Sequence, residues 1–215
     1  MNIKKFTFNP FQENTFVVYD KSRECIIIDP GFYNKEEELE LTNFIKDNKL
    51  KPVALLNTHC HIDHVLGNKF IADKFDIDLY INKKDLPLLE NVGEISKLYG
   101  FDNFSGSIYP KYFLEDGDVF EFGESYLEVL FTPGHAPGHI CFYSKEYDFI
   151  ISGDVIFKCS IGRTDLPFGD SKILIESIKK KIITLPEETK IYCGHGPDTL
   201  LSFEKENNPY LQFTI

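Results

Sequence analysis

The sequence predicts an α+β fold in which two sheets are covered by helices. Short apolar runs that read as strands precede, separate and follow segments whose apolar residues recur at helical spacing. Clusters of Gly, Pro, Asn and Asp punctuate the runs, and no internal repeat, low-complexity stretch or linker interrupts them. At 215 residues the chain is long enough for one substantial core and short for two, so residues 1–215 read as a single domain.

In chain order, Ile3 to Phe8 and Thr15 to Tyr19 read as strands joined by a turn around Asn9-Pro10. Cys25 to Ile28 is a continuous apolar run opening into Asp29-Pro30-Gly31, the pattern of a buried strand ending in a loop. Asn34 followed by Glu37 resembles a capping box, and Leu41, Phe44 and Ile45 give the next helix one apolar face. Val53 to Leu56 is another buried strand, ending at Asn57-Thr58, with a helix near Leu66 to Phe75 and a strand at Leu79 to Ile81. Residues 82–112 mix polar and aromatic side chains around Ser105-Gly106-Ser107, which predicts a helix and then a loop able to overhang a site. Strands return at Val119 to Phe122, Tyr126 to Phe131, Ile140 to Tyr143 and Phe149 to Ser152. Leu174, Ile175, Ile178 and Ile182 recur at helical spacing, Thr189 to Tyr192 is a last strand, and Asp198 is expected to cap a final helix before Asn208-Pro209.

Composition narrows the partners. The net charge of −11 opposes nonspecific nucleic-acid binding. No apolar run approaches the length that spans a membrane, and none of signal-peptide length follows Met1-Asn2-Ile3-Lys4-Lys5. Five cysteines, odd in number and irregularly spaced, suit reduced thiols, so the expected compartment is the cytoplasm. The partner expected is a small molecule, not nucleic acid or membrane.

The chemistry lies in the histidines. Three of the six fall in Thr58-His59-Cys60-His61-Ile62-Asp63-His64. Two flank a turn in Thr132-Pro133-Gly134-His135-Ala136-Pro137-Gly138-His139, and the last is in Cys193-Gly194-His195-Gly196-Pro197. A divalent metal takes imidazole nitrogens and carboxylate oxygens at about 2 Å, so its ligands must converge. Loops just past strand ends do this well. His59, His135, Asp154 and His195 each follow a different predicted strand.

His-x-His-x-Asp-His, then His135, then Gly153-Asp154, then Gly194-His195-Gly196, resembles the metallo-β-lactamase superfamily in motif order and spacing. The resemblance runs from about Asp29 to the end of the chain. It implies a four-layer αββα sandwich with the metal site at the edge between two sheets. It also implies a ligand set: His59, His61 and His135 on one ion, Asp63, His64 and His195 on a second, and Asp154 bridging them. Asp29 matches a supporting aspartate that orients a ligand, and His139 reads as a support for the His135 loop.

Within that superfamily, Ser160-Ile161-Gly162-Arg163-Thr164-Asp165-Leu166-Pro167, Gly194 to Pro197, and the stretch from Glu204 to Leu211 resemble glyoxalase II-like proteins. They are similar to a short branch without the C-terminal helical region, because 20 residues follow His195. The resemblance implies thioester hydrolysis, as of S-lactoylglutathione, with Asp63 and Asp154 orienting the nucleophile and accepting its proton. The cofactor expected is two divalent ions, zinc first, with iron or manganese also suited to His/Asp ligands. Arg163 would anchor a substrate carboxylate or pair with Asp165 or Asp170. The alternatives are a persulfide dioxygenase using one iron on His59, His135 and Asp154, and a lactonase on the same site.

Overall fold

The computed structural model describes residues 1–212. It holds two compact units. The first comprises Met1–Leu114 with Glu121–Tyr126, and the second comprises Glu115–Phe120 with Leu127 onward.

The first unit is built on a six-stranded sheet. Strands β1 (Asn2–Phe8), β2 (Glu13–Tyr19), β3 (Glu24–Ile28), β4 (Lys51–Leu56), β5 (Leu79–Ile81) and β6 (Tyr112–Phe113) lie in that order. The β1–β2 and β2–β3 pairs are antiparallel, and the rest are parallel. Parallel neighbours need crossovers, which α1 (Lys35–Asp47) supplies between β3 and β4. Between β4 and β5 run the single turn α2 (Ile62–Val65) and α3 (Asn68–Phe75). Helix α4 (Leu86–Leu98) precedes the loop to β6. The core gathers Phe6, Phe8, Val17, Ile27 and Leu55 from the sheet with Leu41, Ile45 and Ile71 from the helices.

Asn34 caps α1 by accepting from the N–H groups of Glu36 and Glu37. The reciprocal half of the capping box is displaced. The Glu37 carboxylate accepts from the N–H of Tyr33 at 2.8 Å and of Asn9 at 2.9 Å, so the helix start also holds the β1–β2 turn.

In the second sheet the order is β14 (Thr199–Leu200), β13 (Lys190–Cys193), β10 (Phe149–Gly153), β9 (Ile140–Ser144), β8 (Ser125–Phe131) and β7 (Val119–Phe122). Strands β9 and β10 are buried along their whole length. Helix α5 (Ser171–Ser177) continues into a wider turn at Ile178–Ile182. Its Leu174, Ile178 and Ile182, each four apart, pack on Cys141, Ile150 and Ile191. A two-stranded ribbon, β11 (Ile156–Phe157) with β12 (Ser160–Ile161), follows Asp154, and α6 (Leu201–Asn207) closes the described chain.

One expectation is corrected. Asp198 does not cap α6: Leu200 occupies the cap position, without a side-chain capping bond. The β14 pairing inserts two extended residues before the helix, and Asp198 instead meets Lys190 Nζ at 3.3 Å.

Candidate metal centre

In the first unit, β4 delivers Asn57-Thr58 and then the histidine segment, which enters α2. His59 and His64 are buried, and His61 and Asp63 are partly exposed. The imidazoles crowd: ring centroids of His59 and His61 are 4.7 Å apart, and those of His59 and His64 are 4.1 Å apart. Ligand atoms of Asp29, His59 and His64 lie within 4.8 Å of one another. Imidazole and carboxylate donors of this kind fit a divalent cation, with Asp29 close because it engages His64 from behind.

Asp29 organises the cluster. It sits past β3 in a left-handed conformation (φ 51°), unusual outside glycine. Its carboxylate accepts from Thr58 N at 2.7 Å, Thr58 Oγ1 at 2.6 Å and Asn57 Nδ2 at 3.4 Å. His64 Nδ1 lies 3.1 Å from Asp29 Oδ2, so Nδ1 carries the proton and Nε2 is the nitrogen that could ligate a metal. Nε2 is 3.7 Å from Asp63 Oδ2. His59 Nδ1 is likewise engaged by Thr58 Oγ1 at 3.1 Å. Asn57 Nδ2 donates to the His64 carbonyl at 3.0 Å, and Asn68 Nδ2 donates to Asn57 Oδ1 at 2.8 Å.

The residues missed by sequence reasoning surround this cluster. Asn9 Nδ2 donates to the carbonyls of Gly31 and Asp63 at 2.9 and 3.1 Å. Glu13 is fully buried, and burial pushes its carboxyl well above the usual range, with His64 opposing and Asp29 and Asp63 adding. No sequence signal marked Glu13, which lies outside the predicted strand Thr15 to Tyr19 and is buried only through the fold. Cys60 N donates to the buried Asp85 at 2.7 Å. Burial, then Asp85 and Asp29, push the Cys60 thiol up, which keeps it from the thiolate form that metals take.

In the second unit, His135, Asp154 and His195 follow β8, β10 and β13. Asp154 Oδ2 stands 3.5 Å from Nε2 of His135 and 3.5 Å from Nε2 of His195. His135 Nδ1 donates to the Arg163 carbonyl at 2.7 Å, which turns Nε2 toward Asp154. His139 acts through the backbone. Its Nε2 accepts from Asp154 N at 3.0 Å, so the proton is on Nδ1, 3.2 Å from Thr132 Oγ1. Two glycines make room: a Cβ on Gly194 would lie 2.2 Å from Asp154 Oδ1, and one on Gly162 would lie 1.9 Å from the Asp154 carbonyl.

The Arg163 guanidinium forks onto Asp165, with both bonds at 2.7 Å and both side chains exposed. That pairing, led by the hydrogen bond from Arg163, holds the Asp165 carboxyl down to about 2. Of the aromatics in residues 99–112, Phe101 is buried between Phe11 and Tyr33, whereas Tyr99, Tyr109 and Tyr112 are exposed.

The sequence profile of the Metallo-beta-lactamase superfamily matches residues 8–195. The chain belongs to that superfamily of metallo-hydrolases, whose members bind metal ions, and it has the metallo-β-lactamase fold. Among its relatives, the hydroxyacylglutathione hydrolase GloC of Haemophilus influenzae is 35% identical over 98% of both chains. The B3 metallo-beta-lactamase BLEG-1 matches with a TM-score of 0.88 at 35% identity, over 98% of this chain and 99% of that one. TTHA1623, solved in a di-iron-bound form, gives 0.87 at 36% identity, over 97% and 100%. No described helix is long and apolar enough to cross a membrane.

Proposed function

We propose that the protein is a metal-dependent thioester hydrolase of the hydroxyacylglutathione type. His59, His61 and His135 hold one divalent ion, Asp63, His64 and His195 hold a second, and Asp154 is shared. The observation that carries this reading is the Asp154 carboxylate, whose Oδ2 is equidistant from one imidazole of each proposed set. Zinc is the first choice of metal and iron the next, since a relative takes two irons. A cytoplasmic setting suits five cysteines that form no disulfide.

When bound, such ions lower the pKa of a coordinated water from about 16 towards about 7 and polarise a carbonyl oxygen. The protein supplies orientation. Thr58, Asp29 and the Arg163 carbonyl each engage an Nδ1 and so aim an Nε2. Asp63 and Asp154 orient the attacking water and take its proton. The leaving thiolate is stable enough to depart without a strong general acid, which matches a site built from ligands and carboxylates.

A second reading is β-lactam hydrolysis on the same residues, favoured by the likeness to BLEG-1. One preparation decides between them, assayed for S-lactoylglutathione hydrolysis, for β-lactam hydrolysis and for oxygen uptake with glutathione persulfide. Thioester cleavage at a kcat/KM well above the lactam value, without oxygen uptake, is expected. A preference for the lactam establishes the second reading, and oxygen consumption replaces both with a persulfide dioxygenase.

A further inference from the structure

We infer that Glu13 is a positioning residue for His64, a second carboxyl behind the imidazole that Asp29 orients. The inference rests on the reading of His64 as a metal ligand.

Glu13 opens β2 and is fully buried. Its Oε2 bonds Thr15 Oγ1 at 3.0 Å, and the same hydroxyl accepts from Gly31 N at 2.9 Å. Its Oε1 makes no hydrogen bond among the described residues and lies 3.8 Å from His64 Nδ1. That is too long for a hydrogen bond but within reach of a small ring rotation. Oε1 is an acceptor in the carboxylate, and also in the acid form with the proton on Oε2, which then donates to Thr15 Oγ1.

Burying a carboxyl without full pairing is unfavourable, so a carboxyl held here points to a task that an apolar side chain of similar volume would not perform. What an apolar side chain cannot do is accept from Nδ1. A cation on Nε2 draws density from the ring and strengthens Nδ1–H as a donor. Asp29 accepts that hydrogen at 3.1 Å, and Glu13 Oε1, 3.8 Å away, is the acceptor that a small ring rotation would meet, so the two carboxyls bracket the range of that rotation. The backbone is arranged around the carboxyl. A Cβ on Gly31 would stand 2.0 Å from Glu13 Oε2 and 2.4 Å from the Asp63 carbonyl, so glycine there keeps the space open. Asn9, from the same hairpin, holds that Asp63 carbonyl. The β1–β2 hairpin thus grips Asp63-His64 at the backbone through Asn9 and at the imidazole through Glu13.

The test titrates metal into the full-length apo protein, reading the affinity of each equivalent and the melting temperature. Glu13→Leu is expected to weaken one of two equivalents about 10- to 100-fold and spare the other, with the apo melting temperature, lowered by the Thr15 hydroxyl losing its acceptor, read separately. Glu13→Gln keeps an acceptor at the same place and should stay within about threefold of wild type, against that 10- to 100-fold loss. Should Glu13→Leu not fold, the unbranched Glu13→Met takes its place. An apolar variant with both affinities unchanged overturns the inference, as does a Gln variant as weak as the apolar one. Wild-type protein that takes up no second equivalent refutes the ligand assignment itself, a separate and recognisable result.

Discussion

At the scale of single residues, the candidate site is a set of imidazoles whose tautomers are fixed from behind. Asp154 is the residue on which the arrangement turns, because its carboxylate faces both His135 and His195. Asp154→Ala should lower kcat/KM by orders of magnitude and reduce bound metal, measured on the same sample; near-normal turnover at normal metal content would sink the assignment. Arg163 gives a milder expectation. Its pair with Asp165 is exposed and screened by solvent, so a substrate carboxylate can displace Asp165. Arg163→Ala should therefore raise KM with kcat little changed, and an unchanged KM would leave Arg163 as a loop contact alone. The proposed ligands were legible in the sequence because each is a polar residue placed just past an apolar strand. Glu13 and Asn9 were not, because their partners are 51 and 54 positions away and no local spacing marks them.

At the scale of elements, loops are held by buried carboxylates. Asp20, just past β2, accepts from Ser22 N at 2.8 Å, Glu124 N at 2.7 Å and Ser125 Oγ at 2.9 Å, which fixes the Glu124-Ser125 turn within the first unit. Burial works against its ionisation, but these donors outweigh it and hold the carboxyl below its ordinary 3.8. The sign follows: the stabilisation is fully present above about pH 4 and is lost as pH falls through the lower, folded-state value. Asp20→Asn should cost about 1–3 kcal/mol at pH 7 in urea denaturation, and the difference should shrink below pH 4; a gap constant with pH would contradict the account. Glu204 does the same for the β11–β12 ribbon, accepting from Cys159 N, Thr199 Oγ1 and Asn208 Nδ2 at 2.9, 2.6 and 2.8 Å. Asn208 in turn donates to the Ser160 carbonyl at 2.9 Å, which gives the C-terminal motif a physical meaning. Glu204→Leu leaves those donors without an acceptor and should lower stability by about 2–4 kcal/mol. The long strands and α1 could be read from periodicity. The two-residue strands β6, β11, β12 and β14 could not, since they exist only through pairing with distant segments. The misplaced cap at Asp198 has the same origin.

At the scale of the whole molecule, bound metal should appear as stability. A ligand held only by the folded state adds about 2.7 kcal/mol at a concentration 100 times its Kd. Chelation should therefore lower the melting temperature, and stoichiometric metal should restore it; a melting temperature indifferent to chelation would argue against an occupied site. The reading of the chain as one domain predicts a single cooperative transition in calorimetry, and two resolved transitions would replace it.

The central claim is that two ions share Asp154. It is tested most directly by measuring the number of metal equivalents bound per chain in wild type and in Asp154→Ala, with thioester turnover followed at each point of the titration. Wild type should bind two equivalents, with activity that rises with the second, and the variant should lose affinity for both. A wild-type chain saturated and fully active at one equivalent, or a variant that still binds two at wild-type affinity, would contradict it.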